Sequence, residues 1–179
     1  MLQDDSAENP LQASWPAPFP ASGRQAPARV LDLSHPIEPG MPVFPGDPAV
    51  QVDAAARLDR DGCRVSALHL NTHAGTHADA PAHVFEHGLC LDQLPASQLA
   101  GSALMIGCMD IGKDGVIPLD RILDAGAAAL LADFLIFRTG WERLWGEEAY
   151  FDHYPVLSRE AVRWIAAQGK KGIGLDTPG

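Results

Sequence analysis

Hydrophobic and polar positions show no regular period over the first stretch of the chain. Pro10, Pro16, Pro18, Pro20 and Pro27 are scattered among Ala, Ser and Gln, so neither a helix nor a strand is expected there. Residues 1–28 therefore read as a mobile tail, with Trp15 and Phe19 as the side chains that could dock on a folded body. From residue 29 the pattern tightens into one domain, 29–179. Val30, Leu31 and Leu33 suggest a short strand ended by Ser34, His35 and Pro36. Pro39, Pro42, Pro45 and Pro48 follow, and prolines fix φ and remove backbone donors. That segment is expected to be a rigid extended loop holding Phe44. Val50 and Val52 predict a strand, Asp61-Gly62 a turn, and 65–71 the returning strand of a hairpin.

The second half has a different period. Residues 103–110 and 134–137 are short, nearly continuous apolar runs, the pattern of strands covered on both faces. Between them 119–131 reads as a helix with Gly126 as its weak point. Ser158 is a good cap for a helix over 160–168, where Val162, Ile165 and Ala166 form an apolar stripe and Gly169 provides the stop. A buried strand then begins at 172–175. Strand, helix, strand, helix, strand predicts an α/β fold with a mixed or parallel sheet under helical cover, preceded by a hairpin-rich half.

Composition narrows the partners. The 13 Lys and Arg against 23 Asp and Glu give a net charge of −10, opposite to what phosphate backbones or anionic lipids attract. Neither nucleic acid nor a membrane is expected as a partner. The longest apolar stretch, 125–137, is broken by Asp133 and is far short of the ~20 residues that span a bilayer. Cys63, Cys90 and Cys108 are odd in number and widely spaced, which suggests neither a disulfide framework nor a cysteine zinc site. Cys90 is expected to be a small buried hydrophobe. With Asp4, Asp5 and Glu8 where an export signal needs positive charge, a cytoplasmic protein is expected.

The histidines carry the chemistry. Seven in 179 residues predict about 0.7 in a window of nineteen, yet 69–87 holds His69, His73, His77, His83 and His87. Imidazole and carboxylate together suit zinc, manganese, iron or nickel, and two or three such ligands leave positions open for water or substrate. His73 and His77 are spaced for one helical face, but Gly75, Thr76 and Pro81 disfavour a helix. A tight loop is expected instead, with Gly75 letting the backbone fold back so that both rings meet one ion. Asp79 has two oxygens and could bridge two ions. His83 could be a ligand or a free acid/base, since histidine is the side chain that titrates near neutral pH. His69 reads as a core or supporting residue, His87 as a surface turn, and His35 and His153, beside prolines and aromatics, could reach the site.

The run His73, Gly75, Thr76, His77, Asp79, Pro81, His83 resembles the H-x-G-T-H-x-D-x-P-x-H signature of the cyclase or kynurenine formamidase-like metal-dependent hydrolases. Three further stretches resemble that family in the same order: 31–34 with 41–47, then 137–141, then 174–178. The resemblance implies a swivelling β/β/α fold, a homo-oligomer (dimer or tetramer), and hydrolysis of an amide, formamide or cyclic amide at one or two divalent ions, Zn or Mn. It makes His73, His77 and Asp79 metal ligands and His83 the proton donor and acceptor. It also places Phe44 against the substrate's ring, where formamidases tend to carry tryptophan. In the family a histidine and a glutamate that complete the metal site follow the D-T-P segment, so by this resemblance the chain reads as truncated at its C-terminus.

The function expected is hydrolysis of a small-molecule amide, with N-formyl-L-kynurenine to L-kynurenine and formate as the leading candidate. Hydrolysis of isatin or another cyclic amide is the first rival. A catalytically inactive metal-binding or interaction module is the second.

Overall fold

The computed structural model describes residues 30–179, so the expected tail at 1–28, with Trp15 and Phe19, lies outside the described residues. Residues 34–179 form one compact unit. Residues 30–33, expected as a strand, carry no regular structure: a strand needs a paired neighbour, which apolar residues do not by themselves supply. The proline-rich loop resolves into two turns. Met41 N–H donates to Glu38 O and Asp47 N–H to Phe44 O at 3.2 and 2.9 Å. Each turn has proline second and a glycine of positive φ third, Gly40 at +82° and Gly46 at +98°, the type II arrangement.

Strands β1 (Gln51–Ala56) and β2 (Val65–His69) pair antiparallel, as the alternation predicts. Their connection is longer than a tight turn, because a single helical turn α1 (Leu58–Asp61) precedes Gly62, which closes it at φ +73°. After the histidine-rich loop come β3 (Ala103–Gly107), β4 (Val116–Ile117), α2 (Asp120–Leu123), α3 (Ala127–Leu131), β5 (Phe134–Arg138), β6 (Val156–Leu157), α4 (Arg159–Ala167) and β7 (Gly172–Leu175). β3, β5 and β7 form a parallel sheet in that order, and β4 pairs parallel with β6. The fold is thus mixed α/β, with an antiparallel hairpin and parallel sheets.

Two expectations change. The helix over 119–131 is split into α2 and α3 at Gly126, whose φ of +57° no continuous helix accommodates. Among the described residues the strands are covered on one face rather than two. Leu135 and Phe137 are fully buried, whereas Met105 and Ile136, adjacent in register, are 63% and 38% exposed. The cause is visible in the core: Ile122 of α2, Ala129 of α3, and Ala161 and Ile165 of α4 pack with Ile106, Leu135 and Phe137, so helices line that face. The α4 cap is as expected, Ser158 Oγ accepting from Ala161 N at 3.1 Å.

A second, smaller core of Met41, Val50 and Ala74, flanked by Val43, Val52, Leu70 and Trp145, lies under the histidine-rich loop. That core positions the site.

Candidate metal centre

The loop leaves β2 through Leu70 and Asn71 and stays irregular until a 3₁₀ turn at Pro81–His83. Ala74 is buried in the small core, and Gly75 follows at φ +66°. A Cβ there would stand 2.8 Å from Met41 Cε, so the backbone sits on the methionine as only glycine allows. This reversal swings the flanking imidazoles together: the rings of His73 and His77 are 5.0 Å apart, nearly perpendicular, and those of His73 and His83 are 4.2 Å apart.

Asp79 stands where they meet. Its Oδ1 is 2.8 Å from His73 Nδ1 and 3.4 Å from His77 Nε2. Ligand atoms of His73, Asp79 and His83 all lie within 4.8 Å of one another. The loop backbone orients the ring of His77: its Nδ1 is 2.8 Å from Gly75 O, an acceptor, so Nδ1 carries a hydrogen and Nε2 is the nitrogen turned to Asp79. With Asp79 Oδ1 it forms a nitrogen–oxygen pair of the kind that holds a divalent cation. The 3.4 Å separation is close to the ~3.3 Å between two ligands held tetrahedrally at zinc's usual bond lengths, whereas the 2.8 Å between His73 Nδ1 and Asp79 Oδ1 is a hydrogen-bond distance. Imidazole nitrogen and carboxylate oxygen are the donors that zinc and manganese take. The cluster fits a divalent ion, and the half-exposed Asp79 leaves coordination space open to solvent.

Phe44 is 50% exposed and meets Phe151 edge-on at 5.9 Å. A shallow groove of about 630 Å³ lies beside it, lined by Pro45, Glu147, Glu148, Ala149, Phe151 and Asp152. Another depression, about 530 Å³, lies on the hairpin around Arg57, Leu58 and Val65, and no histidine lines either cavity.

The remaining histidines separate. His69 ends β2 exposed, and His87 is an exposed turn residue. His153, at φ +57°, is held away from the cluster by Asp114 Oδ1 at 2.6 Å and Asp152 Oδ2 at 3.1 Å. His35 stacks on Trp145, and its backbone N–H donates to Thr76 Oγ1 at 3.1 Å. Cys90 is exposed rather than buried, because it precedes a 3₁₀ turn and donates its N–H to Gln93 Oε1. Cys108 is the buried thiol, and burial pushes its pKa up.

Sequence patterns also left one structural role unassigned. At the carboxyl ends of β5 and β7, Asp176 accepts from Thr139 N, Thr139 Oγ1 and Gly140 N at 2.8, 2.6 and 2.7 Å. Burial opposes ionisation of Asp176, but these donors outweigh it and hold the carboxyl below the usual carboxylate range. The segments 137–141 and 174–178 are thereby joined in space. The signal was their polar residues directly after apolar strands.

A mixed α/β scaffold with an open cluster of three imidazoles and a carboxylate carries a candidate metal centre, and comparison with known sequences narrows the class. A family profile described as putative cyclase matches residues 31–179. The chain belongs to this cyclase family. It is similar to a kynurenine formamidase of Erythrobacter litoralis, 31% identical over 152 residues, which cover 84% of this chain and 66% of that protein. Among solved structures, a potential metal-dependent hydrolase with cyclase activity superposes with a TM-score of 0.64 at 26% identity, over 84% of this chain and 69% of the other. The isatin hydrolase A of Labrenzia aggregata shares the fold, with a TM-score of 0.73 at 23% identity over 84% and 68%. The chain thus spans about two thirds of the length of these relatives.

No helix among the described residues is long and apolar enough to cross a membrane.

Proposed function

We propose that the protein is a metal-dependent hydrolase of a small amide, converting N-formyl-L-kynurenine to L-kynurenine and formate. The observation that carries this reading is the convergence of His73, His77 and His83 on Asp79. In it His73, His77 and Asp79 would hold the divalent ion, zinc or manganese. A bound ion polarises a carbonyl and lowers the pKa of water toward 7. His77 keeps its Nε2 available because its Nδ1–H is engaged by Gly75 O. His83 carries a proton to the leaving nitrogen. Phe44 presents its exposed ring to an aryl substrate. The protein acts in the cytoplasm as a dimer or tetramer.

A second reading of His83 has an observation of its own: with His73 and Asp79 it forms a trio within reach of one ion, which makes it a third ligand. A second reading of the substrate is isatin or another cyclic amide.

The test is elemental analysis of the purified protein together with turnover of N-formylkynurenine and of isatin before and after chelation. Chelator-sensitive hydrolysis of N-formylkynurenine, exceeding that of isatin in kcat/KM, is the expected result. Preference for isatin would move the assignment to cyclic amides. Full metal occupancy without turnover of either would leave an inactive binding module.

A further inference from the structure

The loop that carries the histidine cluster is braced from another segment, through Thr76, which is not one of the clustered residues. His35 donates its backbone N–H to Thr76 Oγ1 at 3.1 Å. Thr76 stands between Gly75, whose carbonyl oxygen orients the His77 ring, and His77 itself. A held Thr76 therefore restrains both the carbonyl that orients the ring and the Cα from which the ring projects.

The His35 side chain takes no part in that hydrogen bond. It lies flat on Trp145, with ring centroids 4.0 Å apart and planes 10° from parallel. Trp145 in turn packs on the core of Met41, Val50 and Ala74, the footing of the same loop. Pro36 confines the residue before it to extended backbone, so the seat of the His35 ring and the direction of its N–H are tied together. A ring fixed on Trp145 thus aims the N–H at Thr76.

We infer that His35, clamped on Trp145, is a positioning residue for the metal-ligand loop, acting on His77 through Thr76. The inference rests on the proposal that His73, His77 and Asp79 are ligands. Partners that orient a metal-bound histidine are worth about 10–100-fold in affinity or activity. His35 acts one residue further out, so the lower end of that range is expected.

The experiment loads the protein with Co(II), measuring affinity by competition with a chromophoric chelator and ligand geometry by visible absorption, with melting temperature alongside. His35→Ala should weaken Co(II) binding by about 10-fold and alter the visible bands. Thr76→Val, which keeps shape and loses the acceptor, should do the same. The double variant should be no weaker than the weaker single one, because both remove one interaction. His35→Phe keeps a flat ring and the backbone N–H, and should stay within about twofold of the parent.

A His35→Ala protein with a lower melting temperature but unchanged Co(II) affinity and spectrum would overturn the inference. So would multiplicative losses in the double variant, or a His35→Phe protein as weak as His35→Ala. Failure of the parent to bind Co(II), or unchanged binding by His77→Ala, would overturn the ligand assignment and the brace with it. That outcome is distinguishable because it appears without any change at His35.

Discussion

Replacing Gly75 with alanine tests whether the site depends on the backbone reversal at the centre of its loop. The residue sits at φ +66°, where a side chain costs about 1–2 kcal/mol from the clash of Cβ with the neighbouring carbonyl. The new Cβ would also come within 2.8 Å of Met41 Cε. A methionine tip is flexible, but Met41 is only 6% exposed and is packed with Val50 and Ala74. Its displacement is an overpacking cost of about 1–3 kcal/mol. The two terms place Gly75→Ala at about 2–5 kcal/mol less stable if they add.

Urea unfolding followed by tryptophan fluorescence measures this directly. At a slope of about 2 kcal/mol per molar, the midpoint should fall by roughly 1–2.5 M. The two causes separate in a Met41→Leu background, where the shorter side chain no longer meets the Cβ. There Gly75→Ala should retain only the backbone cost of about 1–2 kcal/mol. A midpoint shift below about 0.3 M in the parent would show that the left-handed turn is not required. An equal shift in both backgrounds would show that Met41 is not what the alanine strikes.

Three further outcomes follow from the site. His83→Ala should keep its metal and lose most of kcat if His83 is a proton carrier, by about 10²–10⁴-fold; loss of metal on elemental analysis would make it a ligand. Phe44→Ala should raise KM for aryl amides by about 2- to 12-fold, the equivalent of roughly 0.5–1.5 kcal/mol of ring contact, and unchanged kinetics would mean that Phe44 only packs on Phe151. Asp176→Asn should destabilise by about 1.5–3 kcal/mol at pH 7, the worth of hydrogen bonds to a charged group. Because its folded pKa lies below the ordinary 3.8, that stabilisation is complete above the unfolded value and disappears as pH falls through the folded one. Melting curves of parent and variant should converge below about pH 3.8, and a gap independent of pH would refute the charged contact.

Much of this architecture was readable from local pattern. The capping Ser158, the 3.6-residue stripe of α4, and the apolar runs at β5 and β7 required nothing beyond their own neighbours. Gly75, Thr76 and Pro81 excluded a helix through the histidines, and the structure has none at 73–80. What was not readable depends on contacts between distant segments. Apolarity alone could not reveal that Met105 and Ile136 face away from the helices, because a strand covered on one face and a strand covered on two can carry the same residues. The partnership of Thr139 with Asp176 spans 37 residues, and that of His35 with Thr76 spans 41. Neither has a periodicity to betray it. His35 and His153 looked alike in sequence, each among prolines and aromatics, and their different neighbours, Trp145 and two aspartates, decide their roles.

The longer-range contacts have a common direction. Asp176 anchors Gly140, which at φ +81° opens the 3₁₀ turn Trp141–Leu144. Trp141 Nε1 then donates to Tyr150 O at 2.9 Å, and Tyr150 meets Trp145 edge-on at 5.2 Å. Trp145 seats His35, and the His35 N–H holds Thr76. The site is therefore located by the carboxyl ends of the parallel sheet, although none of the four clustered residues lies in that sheet. The loop's own core is only Met41, Val50 and Ala74, against ten buried side chains around the sheet among the described residues. Local opening free energy follows the apolar contact a segment buries, so the loop should open well before the sheet does. An ion bound by His73, His77 and Asp79 would suppress mainly that opening. In amide exchange it should slow residues 73–83 and leave β5 unchanged.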